Sequence, residues 1–286
     1  MGKIWVTGGN GQLGSQLREL TNGNSDWIFT DLPILDICNE QACRKFVVEH
    51  NVDTILHCAA YTAVDRAESE PELAFRINTQ ATLQLAQIAK EANARFIFIS
   101  TDYVFDGNRQ HPYTESDDCA PLSVYGKTKR EAETGIQQIG VRGITVRTAW
   151  LYSRYGNNFV KTMLRLAEER PQIQVIADQL GSPTNAKDLA QALIGIIPQL
   201  ENTPFRGEIF HFSNEGTCSW YELAKTTLEF GHKTCPVQPI RTEQYPTAAA
   251  RPKYSVLSKE KIRNTFQVRV PDWKESLAEF LQTFLQ

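Results

Sequence analysis

The tightest constraint on the fold is a strand, a glycine-rich turn and a helix in immediate succession at the start of the chain. Residues 4–7 read as a buried strand, Gly8, Gly11 and Gly14 punctuate the turn, and residues 12–21 carry a helical pattern. Glycine at those positions permits a tight turn, close approach of backbone N–H groups to a ligand, and contact between helix and strand. The helix then presents the positive end of its dipole over the turn, which suits a phosphate. Glycine triplets occur in many strand-to-helix turns, so this one gains weight from the elements downstream of it.

Those elements alternate regularly. Strands are predicted at 27–30, 54–58, 96–100 and 144–150, with helices at about 40–50, 71–93 and 123–138 between them. Pro71 suits the first turn of its helix, where a missing N–H costs nothing. Strands this continuously apolar are buried on both faces. The pattern therefore predicts an α/β protein with a doubly wound parallel sheet of the Rossmann type.

After residue 151 the rhythm breaks. A helix at 158–170, a short run at 174–177 and the loop Gly181-Ser182-Pro183-Thr184 come first. A helix at 187–197 and a strand at 208–212 then suit a return to the sheet. The proline-rich remainder, with Pro236, Pro239, Pro246 and Pro252, ends in a helix from residue 271. This predicts a dinucleotide-binding unit of residues 1–151 plus about 184–214. A smaller, loop-rich C-terminal substrate lobe takes about 152–183 plus 215–286.

Composition narrows the functions. With 286 residues, 41% hydrophobic and 22% charged, the chain has the makings of a globular core. A net charge of -3 offers no footprint for nucleic acid or an anionic membrane. No apolar run approaches the ~20 residues of a membrane span. The N-terminus enters a strand with no signal segment ahead of it, so a cytoplasmic location is expected. The six cysteines form no C-x-x-C pair and have no histidines at zinc-ligand spacing, which predicts reduced thiols, no disulfide and no metal.

Asp31 comes just after the second strand, where an acid holds the ribose hydroxyls of NAD and repels a 2′-phosphate; Asp36-Ile37 lies a little further on. Asp36 equally suits a turn or a helix cap. No arginine stands close behind, so NADH is slightly favoured over NADPH. Further along, Tyr125 and Lys129 stand four apart on a predicted helix and so share a face. A phenol, with its ordinary pKa of about 10, needs help to trade a proton near neutrality, and a neighbouring ammonium supplies it. Thr101, at the end of the fourth strand, is placed to hydrogen-bond a reacting oxygen, because ligands of such sheets bind at the carboxyl ends of the strands.

Together, Gly8 to Gly14, Thr101 and Tyr125-x-x-x-Lys129 resemble the extended short-chain dehydrogenase/reductase family. Longer runs make the chain similar to its dTDP-4-dehydrorhamnose reductase branch. They include Ala59-Ala60-Tyr61-Thr62-Ala63-Val64-Asp65, Ser100-Thr101-Asp102-Tyr103-Val104-Phe105, Arg147-Thr148-Ala149-Trp150, Gly156-Asn157-Asn158-Phe159 and Arg251-Pro252. The resemblance implies reduction of dTDP-4-dehydro-L-rhamnose by NADH or NADPH, with Tyr125 as proton donor and Lys129 also bonding the nicotinamide ribose. It implies that Gly8, Asn10, Gly11, Gln12, Leu13, Gly14, Asp31, Asp36, Ile37, Ala59, Ala60, Tyr61, Thr62 and Ile99 contact the dinucleotide. Val64, Thr101, Asp102, Tyr103, Trp150, Asn158 and Arg251 would contact a dTDP-sugar. Trp150 also suits ordinary core, Asp102 a turn and Asn158 a helix cap.

Some members pair through magnesium held by glutamates, one just after the glycine turn. Gln16 stands there in this chain and is a poor ligand for a hard cation, so a monomer or weak homodimer is expected. Another 4-keto nucleotide-sugar reductase, an epimerase that retains its nicotinamide, or a non-catalytic regulatory subunit of a synthetase are the alternatives. A dehydratase would need an Asp–Glu pair after Thr101, where this chain has Asp102-Tyr103.

Overall fold

The computed structural model describes residues 2–286. Lys3–Thr7 (β1), Trp27–Thr30 (β2), Val52–His57 (β3), Arg95–Thr101 (β4), Gly143–Thr148 (β5) and Arg206–His211 (β6) form one sheet. Their order across it is β6-β5-β4-β3-β1-β2, and every pairing is parallel.

Helices cover both faces because the strands are apolar on both. On one side Ile4, Val6, Leu56, Ile97 and Phe210 share one core with Leu13 and Leu17 of Gln12–Leu20 (α1). Trp5, Ile55, Phe96 and Phe98 face the other way, toward Glu40–Glu49 (α2), Thr82–Glu91 (α3) and Val124–Ile139 (α4). The chain passes from β1 to β2 on one side of it and then crosses to β3 on the other, which opens a crevice over the carboxyl ends.

A separate core gathers Phe159–Glu169 (α5), Trp220–Phe230 (α7) and Trp273–Phe284 (α8) around Tyr152, Met163, Leu223 and Leu277. Between them in sequence, Ala186–Gln199 (α6) packs on the sheet beside α1, with Leu189, Leu193 and Ile196 buried there. Among the described residues, no helix is long and apolar enough to cross a membrane.

The predicted helix over 71–93 departs from expectation. It begins at Pro71 as foreseen, runs to Phe75, widens into a π-helix over Arg76–Ala81, and resumes α geometry at Thr82. The cause is tertiary. Asn78 is buried, accepts from the Tyr61 N–H (2.8 Å) and donates to the Tyr61 carbonyl (3.1 Å) and to Thr128 Oγ1 (3.1 Å). Thr79 Oγ1 donates to the Thr128 carbonyl at 2.8 Å. A wider turn carries these side chains toward α4 and the loop after β3, a common use of π segments beside functional sites.

Candidate active site

A cleft of about 840 Å³ lies along the carboxyl ends of the strands, and the glycine turn forms one wall. Gly8 has φ +66°, and a Cβ there would sit 2.6 Å from the Ala59 nitrogen. At Gly14 a Cβ would lie 2.2 Å from the Gly8 carbonyl oxygen. The turn therefore exists only with glycine at these positions. Gly11 occupies the N-cap of α1 and supplies no side-chain cap, and the first turn holds no acid. Its N–H groups thus face the cleft without a side chain to satisfy them, which fits a pyrophosphate.

At one end of the cleft Asp31 accepts from the Asn10 N–H (3.0 Å) and the Leu32 N–H (2.9 Å), tying the turn to β2. Asp36, Ile37, Ala59, Ala60 and Thr62 line the space beyond, as does Ile99. Two arginines that sequence distance concealed stand at this end. Arg76 lines the cleft with Cys38, and Arg18 reaches Asn10 Oδ1 at 3.4 Å from the outside.

The other end holds Tyr125, Lys129 and Thr101. Ser123 caps α4 by accepting from the Gly126 N–H (3.1 Å), which sets the helix so that Tyr125 and Lys129 both line the cleft. Gly126 lets α4 touch the chain at Tyr103, since a Cβ there would lie 2.2 Å from the Tyr103 carbonyl oxygen. The expected effect of Lys129 on the phenol is not what dominates. Tyr125 stays partly open to the cleft, yet burial pushes it up to about 12; Thr101 opposes the rise and the Asp102 charge adds to it. Lys129 instead donates to the Ile99 carbonyl (2.7 Å) and sits 4.0 Å over the Phe98 ring. Burial lowers this lysine to about 7, against the opposing charges of Glu133 and Cys58.

Thr101 caps the single turn after β4, accepting from the Tyr103 N–H (3.2 Å) and donating to Asp102 Oδ1 (3.1 Å). Asp102 is buried, and burial raises it to about 6 although Ser255 and Thr101 oppose the shift. Its Oδ2 is buried and has no hydrogen-bond partner among the described residues. A buried carboxylate oxygen left open beside the cleft is what a ligand hydroxyl would satisfy.

Trp150 lines the cleft two residues beyond β5, which ends at Thr148 rather than continuing to 150. Its φ is +47°, a left-handed conformation that costs a bulky residue about 1–3 kcal/mol. Val64 and Tyr103 complete this end.

Four expected site residues do not line the cleft. Asn10 offers its backbone to Asp31. Tyr61 turns its phenol out to Glu70, while its backbone is held by Asn78. Asn158 caps α5 through the Lys161 N–H (3.1 Å) and donates to Gln12 Oε1 (3.1 Å), so Gly156 and Asn157 line the cleft in its place. Arg251 is bound to Asp65 by both guanidinium nitrogens, at 2.7 and 3.1 Å. Asn78, which fixes the Tyr61 backbone, has no sequence signal beyond a polar residue at an inward helical position.

Comparison with known proteins places this geometry. The family model described as the RmlD substrate binding domain matches residues 2–286. A curated dTDP-4-dehydrorhamnose reductase of Sinorhizobium fredii is 38% identical over 290 residues, covering 99% of this chain and 98% of the relative. The solved structure of a dTDP-4-dehydrorhamnose reductase from Clostridium acetobutylicum superposes with a TM-score of 0.94 at 39% identity, covering 99% of this chain and all of that one. The enzyme of the same name from Bacillus anthracis, solved in complex with NADP, gives 0.92 at 42% identity, with the same coverage. The chain belongs to the dTDP-4-dehydrorhamnose reductase family of oxidoreductases.

Proposed function

We propose that this chain reduces the C4 ketone of dTDP-4-dehydro-L-rhamnose to give dTDP-L-rhamnose, with Tyr125 as the proton donor. The observation that carries the reading is the meeting of Tyr125, Lys129 and Thr101 in the same cleft as the glycine turn. NADH or NADPH, when bound, supplies the hydride. Gly8, Gly11, Gln12 and Leu13 would hold its pyrophosphate, Asp31 the adenosine ribose, and Asp36 and Ile37 the base. Asp31 favours NADH, but Arg76 and Arg18 at that end lessen the expected bias against a 2′-phosphate.

A proton donor must be protonated before the reaction, and a phenol near 12 is fully so at neutral pH. Thr101 orients the ketone oxygen beside it, and Asp102 accepts from a sugar hydroxyl. Lys129, as the ammonium, stabilises the phenolate left after transfer. The part of the chain around α5, α7 and α8 serves as the substrate lobe in this scheme, facing the glycine turn across Trp150.

The deciding experiment incubates purified protein with each reduced cofactor and several 4-keto dTDP-sugars, with nicotinamide oxidation as the readout. Binding of both cofactors without oxidation of either in the presence of dTDP-4-dehydro-L-rhamnose would rule the reading out.

Lys129 and the glycine turn each give a further test. Lys129 sits near 7, so kcat/KM, which reports the free enzyme, should fall as pH rises through about 7 and the ammonium is lost. A pH profile that keeps this alkaline limb in Lys129→Met would assign it elsewhere. In Gly14→Ala the new Cβ collides with the Gly8 carbonyl, and the turn must open. Affinity for either cofactor should drop about tenfold to a hundredfold, as read by fluorescence titration of the reduced nicotinamide.

A further inference from the structure

Behind Trp150, two segments distant in sequence meet. Cys218 and Ser219 pair antiparallel with Gly181 and Leu180, bringing the start of α7 against the loop that runs to Thr184. A capping box between Ser219 and Glu222 fixes where that helix begins. Trp220, its first residue, then lies flat on Trp150, with ring centroids 3.5 Å apart and planes within 10°. Phe159 supports Trp220 from α5, its ring centred 4.7 Å away. Gly181 leaves the slot for the indole, since a Cβ there would come within 2.5 Å of Trp150 Cε2. Trp150 lines the cleft; Trp220 and Gly181 do not.

A left-handed backbone at a bulky residue persists only where the surroundings over-determine it. Here they do so from both sides. The backbone is held as the Thr184 N–H donates to the Trp150 carbonyl (3.2 Å) and Thr184 Oγ1 to the Ala149 carbonyl (2.6 Å). The ring is held by the stack and the glycine slot. What reaches the cleft is a rigid aromatic surface at the end that also holds Tyr125, Thr101 and Asp102. Such a flat apolar face suits the C–H face of a sugar ring.

We propose that Trp220 is a positioning residue for sugar binding: acting through Trp150, with Gly181 as the slot, it fixes the indole as the platform on which the sugar ring rests. This rests on reading the cleft as a site for a 4-keto nucleotide sugar.

The test uses the full chain as wild type, Trp220→Ala, Trp220→Phe and Gly181→Ala. Circular dichroism reads the exciton couplet of the stacked indoles, steady-state kinetics separate sugar KM from kcat, and titration gives cofactor affinity. Trp220→Ala and Gly181→Ala should each raise the sugar KM about tenfold, with kcat changed less than about threefold and cofactor affinity unchanged. Trp220→Phe should lose the couplet yet recover most of the sugar affinity. A folded Trp220→Ala protein that has lost the couplet but keeps its sugar KM overturns the proposal. Gly181→Ala lies outside the substrate-lobe core and decides the matter if Trp220→Ala does not fold. Should the wild type turn over no 4-keto dTDP-sugar, the functional reading falls, and calorimetric affinity for a dTDP-deoxysugar takes the place of KM. Equal affinity in wild type and Gly181→Ala then overturns the positioning role, and a tenfold loss supports it.

Discussion

Replacing Tyr125 by phenylalanine is expected to lower kcat by about 10²–10⁴-fold, the usual range for a lost general acid. The substitution is close to a deletion of one oxygen. The ring would keep its edge-on packing against Tyr103, whose centroid is 5.7 Å away at 77°. It would also leave the Ser123 cap and the approach of Gly126 to Tyr103 unchanged, so α4 should not move. Cofactor affinity and melting temperature should therefore match the wild type, and the loss should appear in kcat. Single-turnover reduction of the 4-keto dTDP-sugar, with cofactor saturating, is the measurement. A rate within threefold of wild type would show that the proton comes from elsewhere, with Asp102, raised to about 6 and buried beside Thr101, the first alternative to examine.

The features readable from sequence are those whose causes are local. The glycine turn joins a strand and a helix within residues 3–20, and its geometry is imposed by the absence of side chains. Tyr125 and Lys129 share a face because a helix repeats, and Ser123 caps that helix from one position before it. The apolar strands foretold a sheet covered on both sides. Where reading failed, a distant partner set the outcome. The π segment exists because Asn78 bonds Tyr61 and Thr128, 17 and 50 residues away. Arg251 points at Asp65 rather than into the cleft through a pair 186 residues apart. Arg76 lines the cleft, as Asp31 does, from that same widened helix, 45 residues along the chain from Asp31, too far for local sequence to show. Burial also overrides a pairwise expectation: the four-residue spacing puts Tyr125 and Lys129 in one cleft, but the phenol is governed by desolvation, Thr101 and Asp102 rather than by the lysine.

The second large effect concerns stability and lies one helical turn beyond Lys129. Glu133 is fully buried on α4 and receives the Arg147 guanidinium through Nε (2.8 Å) and a terminal nitrogen (2.7 Å). Arg147, on β5, is buried as well, donates to His211 Nε2 (3.3 Å) and to Cys119 Sγ (3.2 Å), and lies 5.0 Å from the Phe105 ring centre. His211 must be neutral to accept that bond; burial and then the Arg147 charge hold its pKa well below the ordinary value. Burial alone would raise the Glu133 carboxyl, but the bonds and charge of Arg147, joined by Ser100 and by a bond from Arg130 (3.0 Å), together outweigh it and hold the carboxyl below its usual range. A pair enclosed this way contributes little net stability against apolar residues of the same size, yet breaking it strands a charge in the core. Glu133→Leu should therefore cost about 3–5 kcal/mol, and Arg147→Met a similar amount. For a chain of this size that lowers the melting temperature by about 10 °C. The double variant should recover most of the loss, because neither member of the Glu133–Arg147 pair is left buried without the other. Thermal and denaturant unfolding of the two singles and the double close the cycle. Losses that simply add in the double variant would mean that the two residues stabilise the sheet and α4 independently rather than as a pair.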